Sequence, residues 1–109
     1  MRVNIKPLST NDAWRGRRFK TPQYKVFQEE MLCKLPPLEL PPPPFHIKYK
    51  IGFSSKGSDL DNCFKQLNDC LSKKYGFNDN LIYQISAKKI IVPKGEEFID
   101  FNIIPCYNL

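Results

Sequence analysis

The chain has 109 residues, a formal net charge of +6, 41% hydrophobic and 13% aromatic residues. That length suits one domain (1–109) with a single modest core, and so apolar a mixture excludes a disordered polyelectrolyte. No apolar run approaches the roughly 20 residues needed to cross a bilayer, and Met1 to Ile5 leads into no signal-type segment, so a soluble cytoplasmic protein with no membrane partner is expected.

Met1 to Ile5 alternates weakly and reads as a first strand ended by Pro7. A basic stretch centred on WRGRRFK follows. Residues 1–25 hold seven basic side chains against Asp12 alone, whereas the remaining 84 hold ten lysines and ten acids. The whole net charge therefore comes from the N-terminal quarter, which points to a polyanion such as nucleic acid, with a solvated basic loop as the plainer reading. The candidate DNA contacts are Arg15, Arg17, Arg18 and Lys20, with Lys56 in the later SSKGS loop. Trp14 and Phe19 flank the arginines, placed either to stack on bases or to anchor the loop to the core.

Thr21 and Pro22 make an N-cap and first helical residue for a helix carrying Tyr24, Phe27, Met31 and Leu35 at helical spacing. Residues 36–44, PPLELPPPP, contain six of the ten prolines and form an extended connector of polyproline II character; a ligand for a proline-binding partner is the other use of such a segment. Phe45 to Phe53 is a strand with Phe45, Ile47, Tyr49, Ile51 and Phe53 on one face and His46, Lys48 and Lys50 on the other.

After SSKGS comes SDLDNCFKQLNDC. From Asn62 onward Cys63, Phe64, Leu67, Cys70 and Leu71 follow the spacing of an amphipathic helix, with Asp61, Lys65 and Asp69 on the opposite side. A loop with Gly76 and Asn78-Asp79-Asn80 leads to a third strand through Tyr83, Ile85 and Ala87 to Val92. Pro93 to Glu96 forms a turn, and Phe98 to Ile104 is expected to return as its hairpin partner. The pattern predicts an α+β fold, a mixed or antiparallel sheet with two helices packed on one face. Four cysteines without C-x-x-C pairs, and one histidine, make no zinc pattern; they read as reduced thiols.

Asp59 and Asp61 straddle the start of the second long helix, and two carboxylates aimed at one point repel unless neutralised. Mg²⁺ prefers carboxylate oxygens and keeps places for water and phosphate. Asp79 is the candidate third ligand if the chain folds back, and Lys65, one turn beyond Asp61, offers positive charge to a phosphate or developing oxyanion. The structural alternative makes Asp61 an N-cap, Asp61–Lys65–Asp69 an ion-pair ladder and Asp79 a turn residue. Spacing alone favours that alternative. The basic N-terminal quarter favours the metal site, because acidic metal sites on a basic surface suit phosphodiester hydrolysis.

Asp59-Leu60-Asp61-Asn62, Lys65, Asp69 and Leu71 together resemble the signature of the RusA family of Holliday-junction resolvases, small endonucleases of bacteria and their phages. Pro7 to Asn11 with the run Trp14 to Phe19 resembles the family's N-terminal segment, Asn78 to Ile82 its D-D-x-Q-I segment, and Lys94-Gly95 its closing hairpin. The resemblance implies a RusA-like fold and a homodimer in a bacterial or phage-infected cell. It further implies Mg²⁺ held by Asp59, Asp61 and Asp79, catalytic assistance by Lys65, and cleavage of four-way DNA junctions. Asn78 replaces the first carboxylate of the family's pair. A gapless count puts Asn80 at the catalytic position, whereas the spacing to Ile82 favours Asp79. A non-catalytic nucleic-acid-binding module and a proline-presenting adaptor are the competing readings.

Overall fold

The structure, a computed structural model, describes residues 1–16 and 19–107. Its elements are β1 (Arg2–Val3), α1 (Thr10–Ala13), β2 (Trp14–Arg15), β3 (Phe19–Lys20), α2 (Pro22–Lys34), β4 (Phe45–Phe53), a 3₁₀ turn (Leu60–Cys63), α3 (Phe64–Tyr75), a second 3₁₀ turn (Asp79–Leu81), β5 (Ile82–Ile91) and β6 (Phe98–Pro105). The class is α+β, as the pattern predicts, with a mixed four-stranded sheet in the order β1-β6-β4-β5 and a separate β2-β3 ribbon.

β4 is paired on both edges, by β5 and β6, and its two faces differ. Phe45, Ile47, Tyr49 and Ile51 are buried beneath the helices, while Lys48 and Lys50 face solvent. α3 lies on the apolar face: Phe64 stacks on Tyr49 with ring centroids 5.8 Å apart, and the Tyr49 hydroxyl donates to Asn68 Oδ1 at 2.7 Å. Leu67, Cys70 and Leu71 of α3 join Tyr24, Phe27 and Met31 of α2 in a single core. Thr21 caps α2 through the Tyr24 amide, with Pro22 in the first turn. α3 stops at Gly76, which takes the left-handed conformation (φ 70°) that a glycine adopts without Cβ strain.

The expected hairpin between the last two long strands does not form. β5 runs parallel to β4, and β6 runs antiparallel to β4 on its other side. α3 carries the chain back along β4, so the next strand must start at the same end and run parallel. The Pro93–Glu96 turn then takes the chain past the end of β4, where Val92 N donates to Phe53 O at 2.8 Å. A turn signal marks a reversal but not the neighbour that the reversed strand will take. Close approach of β6 to β4 also requires Gly52: a Cβ there would stand 2.5 Å from the Phe98 ring.

Residues 36–44 carry neither helix nor strand, as the proline content dictates. Leu38 and Leu40 pack against the core, and Tyr75 donates its hydroxyl to Pro36 O at 2.7 Å, so the connector is fastened down along its length. All four cysteines are free, Cys33 exposed and the other three buried. Among the described residues no helix is long and apolar enough to cross a membrane.

Candidate functional site

Asp59 occupies the N-cap position of the first 3₁₀ turn and Asp61 lies within it, both exposed. Neither carboxylate caps the turn or the start of α3, and among the described residues neither joins an ion pair. The ladder that would have accounted for them is absent there. Lys65 turns away, its ammonium 4.1 Å from the centre of the Trp14 ring. Asp69 turns inward instead and accepts from the Tyr24 hydroxyl at 3.0 Å; burial, reinforced by the Asp69 charge, holds that phenol well above its ordinary range.

The loop before Asp59 is held from the sheet side by Lys89, whose ammonium donates to Lys56 O at 2.8 Å and to Ser58 O. From the other side the N-terminal segment is pinned to the helix start. Thr10 Oγ1 donates to Asn62 O at 2.7 Å. Gln66, fully buried, donates to Leu8 O at 2.8 Å and to Asn62 O at 3.2 Å and accepts from Trp14 Nε1 at 3.4 Å. Between these walls opens a polar cleft of about 400 Å³, where Asp59 and Asn62 face Lys6, Ser9 and Asn11. Sequence reasoning passed over Gln66 and Lys89. Gln66 sits three residues after Cys63 and four before Cys70, within the helix's apolar arc, and a polar residue in that arc signals a buried hydrogen-bond hub.

Asp79 is not brought to this cleft. It begins the second 3₁₀ turn, beyond the C-terminal end of α3, whereas Asp59 and Asp61 precede the N-terminal end; the 12 residues of α3 span about 18 Å. The register says the same, since Ile82 pairs with Phe45 at the start of β4 and Asp59 follows Phe53 at its end. Asn80 shares Asp79's turn, so neither alignment of the third ligand puts it beside Asp59 and Asp61 within one chain. Asn78 has a local task, its side chain accepting from the Asn80 amide at 3.1 Å. Among the described residues no three histidine, cysteine, aspartate or glutamate side chains gather closely enough to hold a metal ion. Asp59, Asp61 and Asp79 therefore do not form one cluster within the chain.

Of the candidate DNA contacts, Arg15 and Lys56 are exposed. Lys20 is half-buried, donates to Gln28 Oε1 at 3.1 Å and lies over the Tyr24 ring, so one of its three donors is already used. Arg17 and Arg18 lie outside the described residues. Trp14 is an anchor, edge-on to Tyr24 at 5.1 Å, while Phe19 is 73% exposed and is the aromatic left available for stacking. The sequence matches no protein-family model and no curated protein.

Proposed function

We propose that the chain is a Mg²⁺-dependent endonuclease acting on branched DNA, with four-way junctions as substrate and a homodimer as the working unit. The observation carrying this reading is the pair Asp59 and Asp61: two exposed carboxylates at one helix start, used neither as caps nor, among the described residues, in ion pairs, beside a basic N-terminal segment fastened to the same helix. Exposed carboxylates that the fold does not use in this way are free to take up a hard cation.

Two carboxylates are a sufficient protein contribution for Mg²⁺, which commonly takes one or two and fills its shell with water and phosphate oxygens. When bound, the ion supplies a water of lowered pKa and neutralises charge on the phosphoryl oxygens. Asp59 and Asp61 are the residues that would hold it. Lys65, one helical turn beyond Asp61, would have to leave the Trp14 ring to offset charge developing on the phosphate. Arg15, Arg17 and Arg18 attract the DNA backbone, and the Lys89-braced loop keeps Asp59 facing the cleft. A four-way junction has two-fold symmetry, which a C₂ dimer matches with two sites.

The test is incubation of a synthetic four-way junction and a matched duplex with the protein, with and without Mg²⁺. Paired cuts in the junction, dependent on Mg²⁺ and lost in Asp59→Asn and Asp61→Asn while both variants still bind in EDTA, are expected. Mg²⁺-independent binding with no cutting overturns the nuclease in favour of a binding module.

A further inference from the structure

The side of the sheet opposite the helices carries two cross-strand rows. Ser86, Lys48 and Asn102 lie side by side in one, and Lys88, Lys50, Asp100 and Arg2 in the next. Lys48, Lys50 and Lys88 are exposed and join no ion pair among the described residues. Asp100, the one carboxylate in the rows, is paired with the Met1 amino group at 3.3 Å, and the Arg2 guanidinium lies 3.7 Å over the Phe98 ring. The rows border a shallow trough of about 610 Å³. At its end His46 Nε2 and Ser86 Oγ are 2.8 Å apart.

Charge summed along the chain hides this face, because residues 26–109 balance to zero. Folding nevertheless gathers three lysines outside any described ion pair in adjacent rows of the open sheet, where Asp100 is the one carboxylate. Soluble surfaces usually intersperse the two signs, and a row of one sign over a concavity concentrates field.

We propose that the open sheet face, through Lys48, Lys50 and Lys88, binds the phosphate backbone of duplex DNA. It is a contact surface separate from the cleft at Asp59, and the proposal rests on the reading of the protein as DNA-binding. Adjacent positions on one strand face are about 6.6 Å apart, and neighbouring strands about 4.8 Å, so the three ammonium groups cover a compact patch wide enough for consecutive phosphates. Asn102 and Ser86 add neutral hydrogen-bonding groups beside them. A second copy of the chain is a poor occupant, since stacking two such faces sets lysines against lysines.

The experiment compares the parent with Lys48→Gln/Lys50→Gln/Lys88→Gln and with a control triple at exposed lysines elsewhere, Lys25→Gln/Lys73→Gln/Lys94→Gln. Binding to a duplex and to a four-way junction is measured in EDTA between about 50 and 200 mM salt, where the logarithmic slope falls by about 0.9 for each phosphate that the protein no longer neutralises. The face variant is expected to flatten the slope by roughly two to three and to bind about tenfold or more weakly, the control changing much less. Equal effects in both triples, or none in the face variant, overturn the proposal. So does poly-glutamate binding as tight as DNA that vanishes in the face variant, which identifies an acidic protein partner. If the parent binds DNA through this face but never cleaves, the nuclease falls and the face stands; if it cleaves and the face variant binds normally, the reverse holds.

Discussion

The ammonium of Lys65 rests 4.1 Å from the centre of the Trp14 ring, so a helix residue and the first strand of the basic ribbon are joined directly. Its link to Asp61 is through position on the helix, one turn apart, and not through an ion pair. Lys65→Ala is therefore expected to lower the cleavage rate at saturating enzyme by up to about 10²-fold, as for removal of one charge-stabilising group, with little change in junction affinity. Stability should fall by only about 0.5–1 kcal/mol, the value of an exposed cation–π contact. Single-turnover cleavage with a parallel binding isotherm separates the effects, and a pure affinity loss removes Lys65 from the chemistry.

Gln66 is the hub that fixes the N-terminal segment to α3, with hydrogen bonds to Leu8 O, Asn62 O and Trp14 Nε1. Gln66→Leu conserves approximate volume but leaves those groups unpaired, at a cost of about 1–3 kcal/mol. Urea denaturation should show that loss, and hydrogen exchange should show faster opening in residues 7–14 than in β4. Uniform exchange across both segments would mean that the hub does not tether the segment.

The legible parts of this fold are those where a local pattern has a single physical solution. Phe45 to Phe53 alternates without interruption and is a strand with those bounds; Thr21-Pro22 is a cap followed by a proline that needs no amide partner. Partners distant in sequence were not legible. The turn at Pro93–Glu96 reads as a hairpin, and only the direction imposed by α3 shows why β6 crosses to the far side of β4. Asp69 looks like the end of a solvated ladder, yet the Tyr24 hydroxyl, 45 residues away, takes it inward. The helix start with Asp59, Asp61 and Lys65 was visible as a local motif. Asp79's distance from it was not, because the chain's return path is a tertiary property.

Burial pushes the Cys63 and Cys70 thiols up to about 12 from an ordinary value of 9.0, with Asp61 and Asp69 respectively adding to the rise. The unfolded chain therefore releases these protons first as pH rises. Their contribution to stability is complete below about 9 and is lost between there and about 12, on the order of 1 kcal/mol per pH unit for each thiol. Urea midpoints should fall between about pH 8 and about pH 10.5, and a Cys63→Ala/Cys70→Ala variant should fall less steeply. Some slope remains in that variant, since burial also raises Tyr24 and Tyr49. An unaltered pH dependence would show that the thiols contribute nothing to it.

Asp79 gives the sharpest test of how the site is assembled. Within one chain it stands beyond the far end of α3 from Asp59 and Asp61, so a role in metal binding requires a second copy; an amide cannot replace the charge, and Asp79→Asn should then lower cleavage and raise the Mg²⁺ requirement. Asp59→Asn removes cleavage from the other half of the same site. If the protein is a dimer that shares the site in this way, the two impaired variants, mixed and allowed to exchange subunits, should form heterodimers in which one site joins an intact Asp59 and Asp61 to Asp79 of the partner subunit, while the other site lacks both Asp59 and Asp79. The mixture is expected to recover activity as single-strand nicks in a four-way junction, up to about half of the dimers being mixed when the variants are equimolar and pair at random. Nicking in the mixture well above that of either variant alone establishes the shared site. Full cleavage by Asp79→Asn alone returns Asp79 to the turn it occupies and leaves Asp59 and Asp61 as the entire carboxylate set.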